Sequence, residues 1–184
     1  MKLEIKKGKD MKSSSLRGFH KIINRAFTVT GSDSVMPKNR KNFAEDTFFV
    51  LHDKNKILSV ARLRNASINF KGESYKIKGI ADVVSVQKGK GHGKKVMKAM
   101  ISYLNKNKEI GVGFCKRNNA GFYRKCGYKV AKNLAKRFIY KNSKGKIVKS
   151  YWDNDVIFNF RGKELINNIV RSPKEKVWIS RRHW

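Results

Sequence analysis

A short loop with three glycines, Lys88–Gly93, constrains the fold of this chain more than any other feature. The run 75–86 before it is apolar and typical of a strand, whereas 92–106 after it carries apolar residues at helical spacing. Glycines let the backbone turn tightly and point successive N–H groups into one concavity, and the helix that follows places its positive dipole end there. The residues therefore predict a strand–loop–helix unit that binds phosphate.

The spacing of the glycines distinguishes between kinds of phosphate loop. A P-loop requires four residues between its glycines and then Gly-Lys followed by Ser or Thr, and Lys88–Lys94 has neither. A dinucleotide-binding loop opens a parallel βαβ unit near the start of a sheet. Here three strand-like runs joined by two tight turns precede the loop, at 47–52, 57–70 and 75–86, and they predict an antiparallel meander. Both the P-loop and the dinucleotide-binding loop are therefore disfavoured.

The remaining segments complete an α+β pattern with a mixed sheet. A strand over 1–7 and a helix over 14–28 precede the meander, and 29–44 is predicted to be a loop, with or without a short helix. After the loop and its helix we expect a series of short elements: a strand at 110–115, a helix at 118–125 closed by Gly127, an extended segment at 128–130, a hairpin of 137–140 and 147–152, a run at 155–160, a helix at 164–170 and a basic tail at 171–184.

The charge of the chain is far from neutral. Its 44 Lys and Arg residues against 13 Asp and Glu residues give a formal net charge of +31. Such a surface attracts nucleic acid, anionic membrane or an acidic protein. An AT-rich genome would enrich Lys and Asn, but it would enrich Asp and Glu as well, and these are scarce. We therefore favour a polyanionic partner or environment as the cause.

The N-terminus has no apolar run after its charges, so it does not resemble a signal peptide. No stretch approaches the length of a membrane span. We expect a soluble, cytoplasmic protein in which Cys115 and Cys126 are reduced core residues rather than nucleophiles.

The chain carries two short motifs, Lys88–Gly93 and Tyr123–Tyr128, and both resemble motifs of the GNAT acetyltransferase superfamily. Family members carry, after their fourth strand, Arg or Gln, two residues, Gly, one residue, and Gly or Ala. Lys88-Gly89-Lys90-Gly91-His92-Gly93 is similar, with Lys in the Arg or Gln place. A second signature, Tyr, three residues, Gly and an aromatic at the end of a short helix, resembles Tyr123-Arg124-Lys125-Cys126-Gly127-Tyr128. A helix and one strand separate the motifs, as in the family.

The resemblance implies a GNAT-like fold with a mixed, mostly antiparallel central sheet flanked by helices. The element order matches the family over 1–160, which we predict to be the acetyltransferase domain. The rest, 161–184, is then a basic C-terminal extension of a short helix plus a tail.

The resemblance also implies that the chain binds acetyl-CoA. Family members hold the pyrophosphate of coenzyme A on backbone N–H groups of the glycine loop, and its pantetheine chain along the fourth strand, where that strand splays away from the fifth. The cofactor-binding residues implied here are Val84, Val86, Lys88, Gly89, Lys90, Gly91, His92, Gly93 and Lys94. We expect no metal site and assign His92 no catalytic role.

The activity that the resemblance implies is N-acetyl transfer to a primary amine. Tyr123 takes the place of the family's Tyr that protonates the leaving thiolate. Asp82, which is the one acidic residue between Glu73 and Glu109, takes the place of a carboxylate general base. A carboxylate can accept the proton of an amine once desolvation has lowered the pKa of that amine. Structural roles remain open for both residues, Asp82 as a satisfied polar residue on a strand and Tyr123 as a packing aromatic.

Three hypotheses remain open for the function of the chain, and they differ in the acceptor or in whether there is one. The first is the amine of a small molecule, peptide or protein. The second is an acetyltransferase docked on nucleic acid, which acts on charged tRNA or on a nucleic-acid-bound protein. The stretch from Gly111 to Trp152 has twelve basic residues and no acidic one, and Trp178 and Trp184 stand among basic residues in the tail. Such interleaving suits phosphate contact and base stacking, although a solvated basic face would look the same.

The third hypothesis is a non-catalytic GNAT-like module that binds polyanions. The intact glycine loop and Tyr123 argue against it.

Overall fold

The computed structural model describes residues 1–28, 40–142, 144–149 and 153–181. Most of the predicted loop at 29–44, and the end of the predicted hairpin strand at 147–152, lie outside these residues. The chain forms two compact units. The first contains Met1–Arg64 and Ala81–Met100, and the second contains Asn65–Ile80 and Ile101–Trp184.

The first unit begins with a strand, a helix and the start of a meander, as predicted. Its elements are β1 (Lys2–Lys7), α1 (Ser13–Thr28), a 3-10 turn (Arg40–Phe43), β2 (Thr47–Asp53), the first part of β3 (Lys56–Phe70), the last part of β4 (Glu73–Ser85) and most of α2 (His92–Lys106). In β1–β2–β3 each strand is antiparallel to the next. The predicted helices at 14–28 and 92–106 and the three strands of the meander are confirmed.

The core of the first unit forms because α1 is amphipathic. Leu16, Phe19 and Ile23 recur at helical spacing, and all three are buried. The ring of Phe19 meets that of Phe48 on β2 edge to face, with 4.9 Å between centroids. Helix α1 is therefore held against β2 by its apolar stripe.

The second unit carries the short elements of the C-terminal half. They are β5 (Gly111–Cys115), α3 (Ala120–Lys125), β6 (Lys129–Ala131), β7 (Phe138–Lys141), β8 (Ile147–Lys149), β9 (Asp155–Phe158), α4 (Lys163–Arg171) and β10 (Val177–Ile179). Strands β7 and β8 form the predicted antiparallel hairpin. The predicted helix at 118–125 is split into a 3-10 turn, Arg117–Asn119, and α3.

Hydrogen bonds link the ten strands of the described residues into one mixed sheet. The order is β6-β9-β5-β4-β3-β10-β7-β8, with β2 on β3 and β1 on β2. The pairs β4–β5 and β7–β10 are parallel, and the other described pairs are antiparallel. The predicted α+β fold with a mixed, mostly antiparallel sheet and flanking helices is thus confirmed.

Among the strands of the described residues, β10 was not predicted from the sequence, because it lies in the segment expected to be a basic tail. Trp178 pairs with Asn69 of β3 on one side and with Ile139 of β7 on the other. Val177 and Ile179 are buried in the core of the second unit. Three residues are too few to show an alternating pattern, so only the long-range pairing reveals the strand.

Candidate active site

The glycine loop occupies the predicted place between a strand and a helix. β4 ends at Ser85 and α2 begins at His92, so the loop spans 86–91. Gly89 has φ +79° and Gly91 has φ +75°, a left-handed conformation that side chains other than glycine rarely adopt. A Cβ built on either glycine would meet no other atom within 4 Å. The glycines are therefore required by the turn, and the space beside them is open.

The charges around the loop suit an anionic ligand. Lys88, Lys90 and Lys94 are exposed, while Gly93 is buried in the first turn of α2. The N–H groups of a first helical turn have no partner within the helix, and they lie at the positive end of its dipole. His92 is half-buried, and its Nδ1 is buried with no hydrogen-bond partner. The residues present at this loop thus fit a pyrophosphate group.

The end of β4 leads into this loop. β4 pairs with β5 over Lys78–Ile80, which face Gly111–Gly113, and Ala81–Ser85 lie beyond the paired residues. The carbonyl of Val84 accepts a hydrogen bond from the Ser59 hydroxyl at 2.9 Å. The N–H of Val86 donates to the carbonyl of Leu58 at 3.0 Å. The exposed Val86 therefore has its N–H engaged within the first unit.

Asp82 lies on β4 in a left-handed conformation, with φ +53°. Asp and Asn tolerate this region better than most residues. The residue is 9% exposed, and its Oδ2 lies 2.7 Å from Nη2 of Arg62. Nη1 of the same Arg62 donates to Oδ2 of Asp46 at 3.3 Å. Asp46 and Arg62 are each 3% exposed, so two carboxylates share one guanidinium in a buried ionic cluster.

This ionic cluster, Asp46–Arg62–Asp82, was not predicted from the sequence beyond Asp82. The Arg62 guanidinium also lies over the ring of Phe48, 5.8 Å from its centroid. The sequence does hold a signal for Arg62, because it is a charged residue between the buried Ala61 and Leu63 of an apolar strand. A buried charge requires a partner, but only the fold identifies which carboxylates supply it.

His20 is a second residue near this cluster that sequence reasoning missed. It lies on α1, half-buried, with its ring edge to face against that of Phe43 at 5.6 Å. Burial lowers the pKa of His20, the nearby Arg62 lowers it further, and Asp82 opposes the shift. The imidazole is therefore neutral at pH 7, and its buried Nε2 has no hydrogen-bond partner.

Tyr123 lies in the second unit, at the C-terminal end of α3. The N–H of Tyr128 donates to the carbonyl of Tyr123, and that of Gly127 donates to Arg124, a Schellman arrangement with Gly127 at φ +97°. The predicted closing role of Gly127 is therefore confirmed. The Tyr123 ring is 8% exposed and packs edge to face against Phe122 and Tyr128, with centroids 5.2 and 6.2 Å away.

Burial raises the pKa of the Tyr123 phenol above its ordinary value, and Cys115 and Asp153 raise it further. The phenol is therefore fully protonated at neutral pH and keeps a proton to donate. Burial likewise raises the pKa of Cys115 to about 12, so its thiol is not a nucleophile at pH 7.

Within the described parts of the chain, no group of three or more His, Cys, Asp and Glu side chains is arranged to hold a metal ion. In the same residues, no helix combines the length and the apolar character that crossing a bilayer requires.

Three solved structures share this fold at low sequence identity. An acyl-CoA N-acyltransferase from Pseudomonas aeruginosa is 12% identical, with a TM-score of 0.58, and the match covers 86% of this chain and 99% of that one. ElaA from Escherichia coli is 9% identical, with a TM-score of 0.59 and the same coverage. The catalytic domain of the Tetrahymena GCN5 histone acetyltransferase, in complex with coenzyme A, is 15% identical, with a TM-score of 0.55 and coverage of 87% and 92%.

Sequence comparison identifies the family. No curated protein sequence matches this one significantly. A family model described as an acetyltransferase (GNAT) domain matches residues 7–131, which include both the glycine loop and the Tyr123 motif. Because the model matches more than half of the chain, this protein belongs to the GNAT family of acetyltransferases.

Proposed function

We propose that this protein is an N-acetyltransferase that moves an acetyl group from acetyl-CoA to a primary amine. The observation that carries the proposal is the loop between β4 and α2, where Gly89 and Gly91 adopt left-handed conformations beside open space at the start of a helix. GNAT acetyltransferases use acetyl-CoA, and the Tetrahymena GCN5 domain with this fold contains coenzyme A.

The cofactor's pyrophosphate is assigned to the backbone N–H groups of the loop and of the first turn of α2, Gly89–Lys94. A helix N-terminus stabilises such an anion through its unpaired N–H groups and its dipole. Lys88, Lys90 and Lys94 add full positive charges. The pantetheine chain is assigned to the end of β4, at Val84 and Val86. The bound cofactor supplies the reactive acyl thioester.

Two side chains are assigned to proton transfer. Asp82 accepts, directly or through a water molecule, the proton that the amine loses as its nitrogen bonds to the acyl carbon. Its ion pair with Arg62, at 2.7 Å, supports this assignment because it fixes the position of the carboxylate on β4. Tyr123 donates a proton to the departing sulfur, so that the products are an amide and a neutral thiol. Its raised pKa keeps that proton in place at neutral pH.

The acceptor is proposed only as a primary amine on a small molecule, peptide or protein. A polycationic acceptor is disfavoured because a net charge of +31 repels it. The same charge favours, as a second candidate, an acetyltransferase that docks on nucleic acid and modifies charged tRNA or a nucleic-acid-bound protein.

Isothermal titration calorimetry with acetyl-CoA tests the loop assignment. Gly91→Glu places a carboxylate and a Cβ where the pyrophosphate is assigned, and we expect it to abolish binding. Gly72→Glu is the matched control, because Gly72 also has positive φ, at +80°, and also lies in open space, at the turn before β4. Wild type and Gly72→Glu should bind equally. Absence of binding by the wild type, or equal losses in both variants, would reject the assignment.

Thiol release in the presence of a panel of amines then tests the transfer itself. We expect release above the hydrolytic background with at least one primary amine, and none with the matching N-acetylated amine. Binding of acetyl-CoA without amine-dependent release from any member of a broad panel would favour a non-catalytic module.

A further inference from the structure

The exposed side of α4 forms a groove that the proposed acetyl transfer does not use. It has a volume of about 810 Å³ and lies within the second unit. Its lining residues come from the end of α2, from the 3-10 turn before α4 and from α4 itself, and they are Asn105, Phe160, Arg161, Lys163, Glu164, Asn167, Asn168 and Arg171.

Helix α4 presents this groove because it is amphipathic. Leu165, Ile166 and Ile169 are buried in the core of the second unit, which leaves the opposite side of the helix to solvent. Glu164, Asn167 or Asn168, and Arg171 follow one another at helical spacing along that exposed side.

Phe160 is the unusual member of the groove. It is 71% exposed, the largest value among the large apolar side chains of the described residues. It lies in the short 3-10 turn Phe160–Gly162 that leads from β9 into α4. Its neighbour Gly162 is buried under Phe158 and Ile110, so the turn is anchored while the Phe160 ring remains in solvent. An exposed ring on an anchored turn is available to stack on a flat ligand.

The polar groups around that ring define the chemistry of the ligand. Arg161, Lys163 and Arg171 oppose the single carboxylate of Glu164, so the groove carries a net positive charge. The side-chain amides of Asn167 and Asn168 offer both donors and acceptors, and that of Asn105, whose Oδ1 accepts a hydrogen bond from Asn159 at 3.2 Å, offers its N–H groups. An exposed ring, cations for phosphate and amides for base edges are together the side chains that bind a single nucleic-acid strand.

We propose that the α4 groove binds single-stranded nucleic acid, with one base stacked on Phe160 and the phosphates beside Arg161, Lys163 and Arg171. A duplex hides the faces of its bases inside the stack, so the exposed ring favours a single strand. This binding site shares no residue with the assigned acetyl-CoA loop and does not depend on acetyl transfer.

Fluorescence anisotropy of a fluorescein-labelled 12-nucleotide RNA, titrated with the whole chain, tests the proposal. We expect Phe160→Ala to weaken binding by roughly tenfold, within the range that loss of one stacked base produces. Phe160→Trp keeps a flat ring and should bind at least as well as wild type. Circular dichroism of each variant checks that the fold is retained, and acetyl-CoA binding should be unchanged throughout.

The salt dependence separates the groove from the general charge of the surface. Each phosphate contact to a single strand contributes about 0.7 to the slope of log affinity against log salt. Replacing Arg161, Lys163 and Arg171 by Ala should therefore reduce that slope by about 2. The control replaces three exposed lysines elsewhere, Lys12, Lys21 and Lys56, by Ala, and it should change the slope much less.

Three results would overturn the proposal. Phe160→Ala binding as wild type would show that no base stacks there. Equal effects of the two triple variants would show that the RNA samples the whole basic surface. Double-stranded DNA or polyglutamate competing as well as unlabelled single-stranded RNA would show a general polyanion surface. Retained acetyl-CoA binding in any of these cases would leave the proposed acetyltransferase function standing.

Discussion

Replacing Arg62 by Met should destabilise the protein strongly, because Arg62 joins two carboxylates that have little access to water. Its guanidinium lies 2.7 Å from Asp82 and 3.3 Å from Asp46, and the three residues are 3–9% exposed. Removing one partner of a buried ion pair leaves an uncompensated charge and costs about 3–5 kcal/mol. Arg64 lies 3.9 Å from Asp46 and offsets part of the loss there. We therefore expect a loss of about 3 kcal/mol at pH 7.

Urea unfolding followed by circular dichroism measures this loss as a shift in midpoint at unchanged slope. Arg17→Met, at an exposed position on α1, is the matched control and should lie within about 0.5 kcal/mol of wild type.

A double-mutant cycle identifies the partner. Asp82→Asn keeps a residue that tolerates the left-handed backbone at this position, yet it removes the charge. The double variant Arg62→Met with Asp82→Asn should lose less stability than the sum of the single losses, since the charge left by one change is removed by the other. A deficit of the size of the Arg17→Met control, or simple additivity of the single losses, would refute the ionic account of this cluster.

Three further predictions concern single groups. Asp82→Asn should lower the turnover number by about 10²–10⁴-fold, measured by steady-state kinetics, while the acetyl-CoA affinity measured by calorimetry stays unchanged. An unchanged turnover number would show that Asp82 is only structural. Tyr123→Phe should also lower turnover without weakening acetyl-CoA binding, and since burial raises the pKa of the phenol, the wild-type pH–rate profile should show no decline from this group up to about pH 10. Cys115, whose pKa is raised to about 12, should resist iodoacetamide at pH 8 in the folded protein and react once urea unfolds it. Full labelling of the native protein would contradict the burial of Cys115. This burial also makes the free energy of unfolding fall as the pH rises above about 9, where the thiol ionises in the unfolded protein and not in the folded one.

Patterns of neighbouring residues in the sequence predicted the meander, the glycine loop and helix α2. Helix α2 begins and ends at the predicted residues because the glycines before it and the apolar spacing within it are both local signals. The tight turns at Lys54 and Lys71–Gly72 likewise defined the meander, and all three adopt positive φ. Such features depend on a few neighbouring residues, so they can be read without knowing the fold.

The features that the sequence did not predict depend on pairing over long distances along the chain. Strand β10 is recognisable only because β3 and β7 lie on either side of it. Asp46, Arg62 and Asp82 belong to one cluster although two turns of the meander separate them in sequence. In the sequence, His20 is one polar residue beside the apolar positions of α1, and its neutral state follows from burial and then from Arg62, both of which lower its pKa. In each case the sequence shows the residues themselves, but it does not show which distant residues pair with them or pack against them.

Amide hydrogen exchange of the loop, measured with coenzyme A and with pantetheine, tests the central claim most directly. Pantetheine has the thiol arm but lacks the pyrophosphate. The account predicts that saturating coenzyme A slows exchange over Lys88–Lys94, whereas saturating pantetheine leaves these amides exchanging as in the free protein. Equal protection by both ligands, or protection by coenzyme A only outside this segment, would contradict the assignment of the pyrophosphate to the glycine loop.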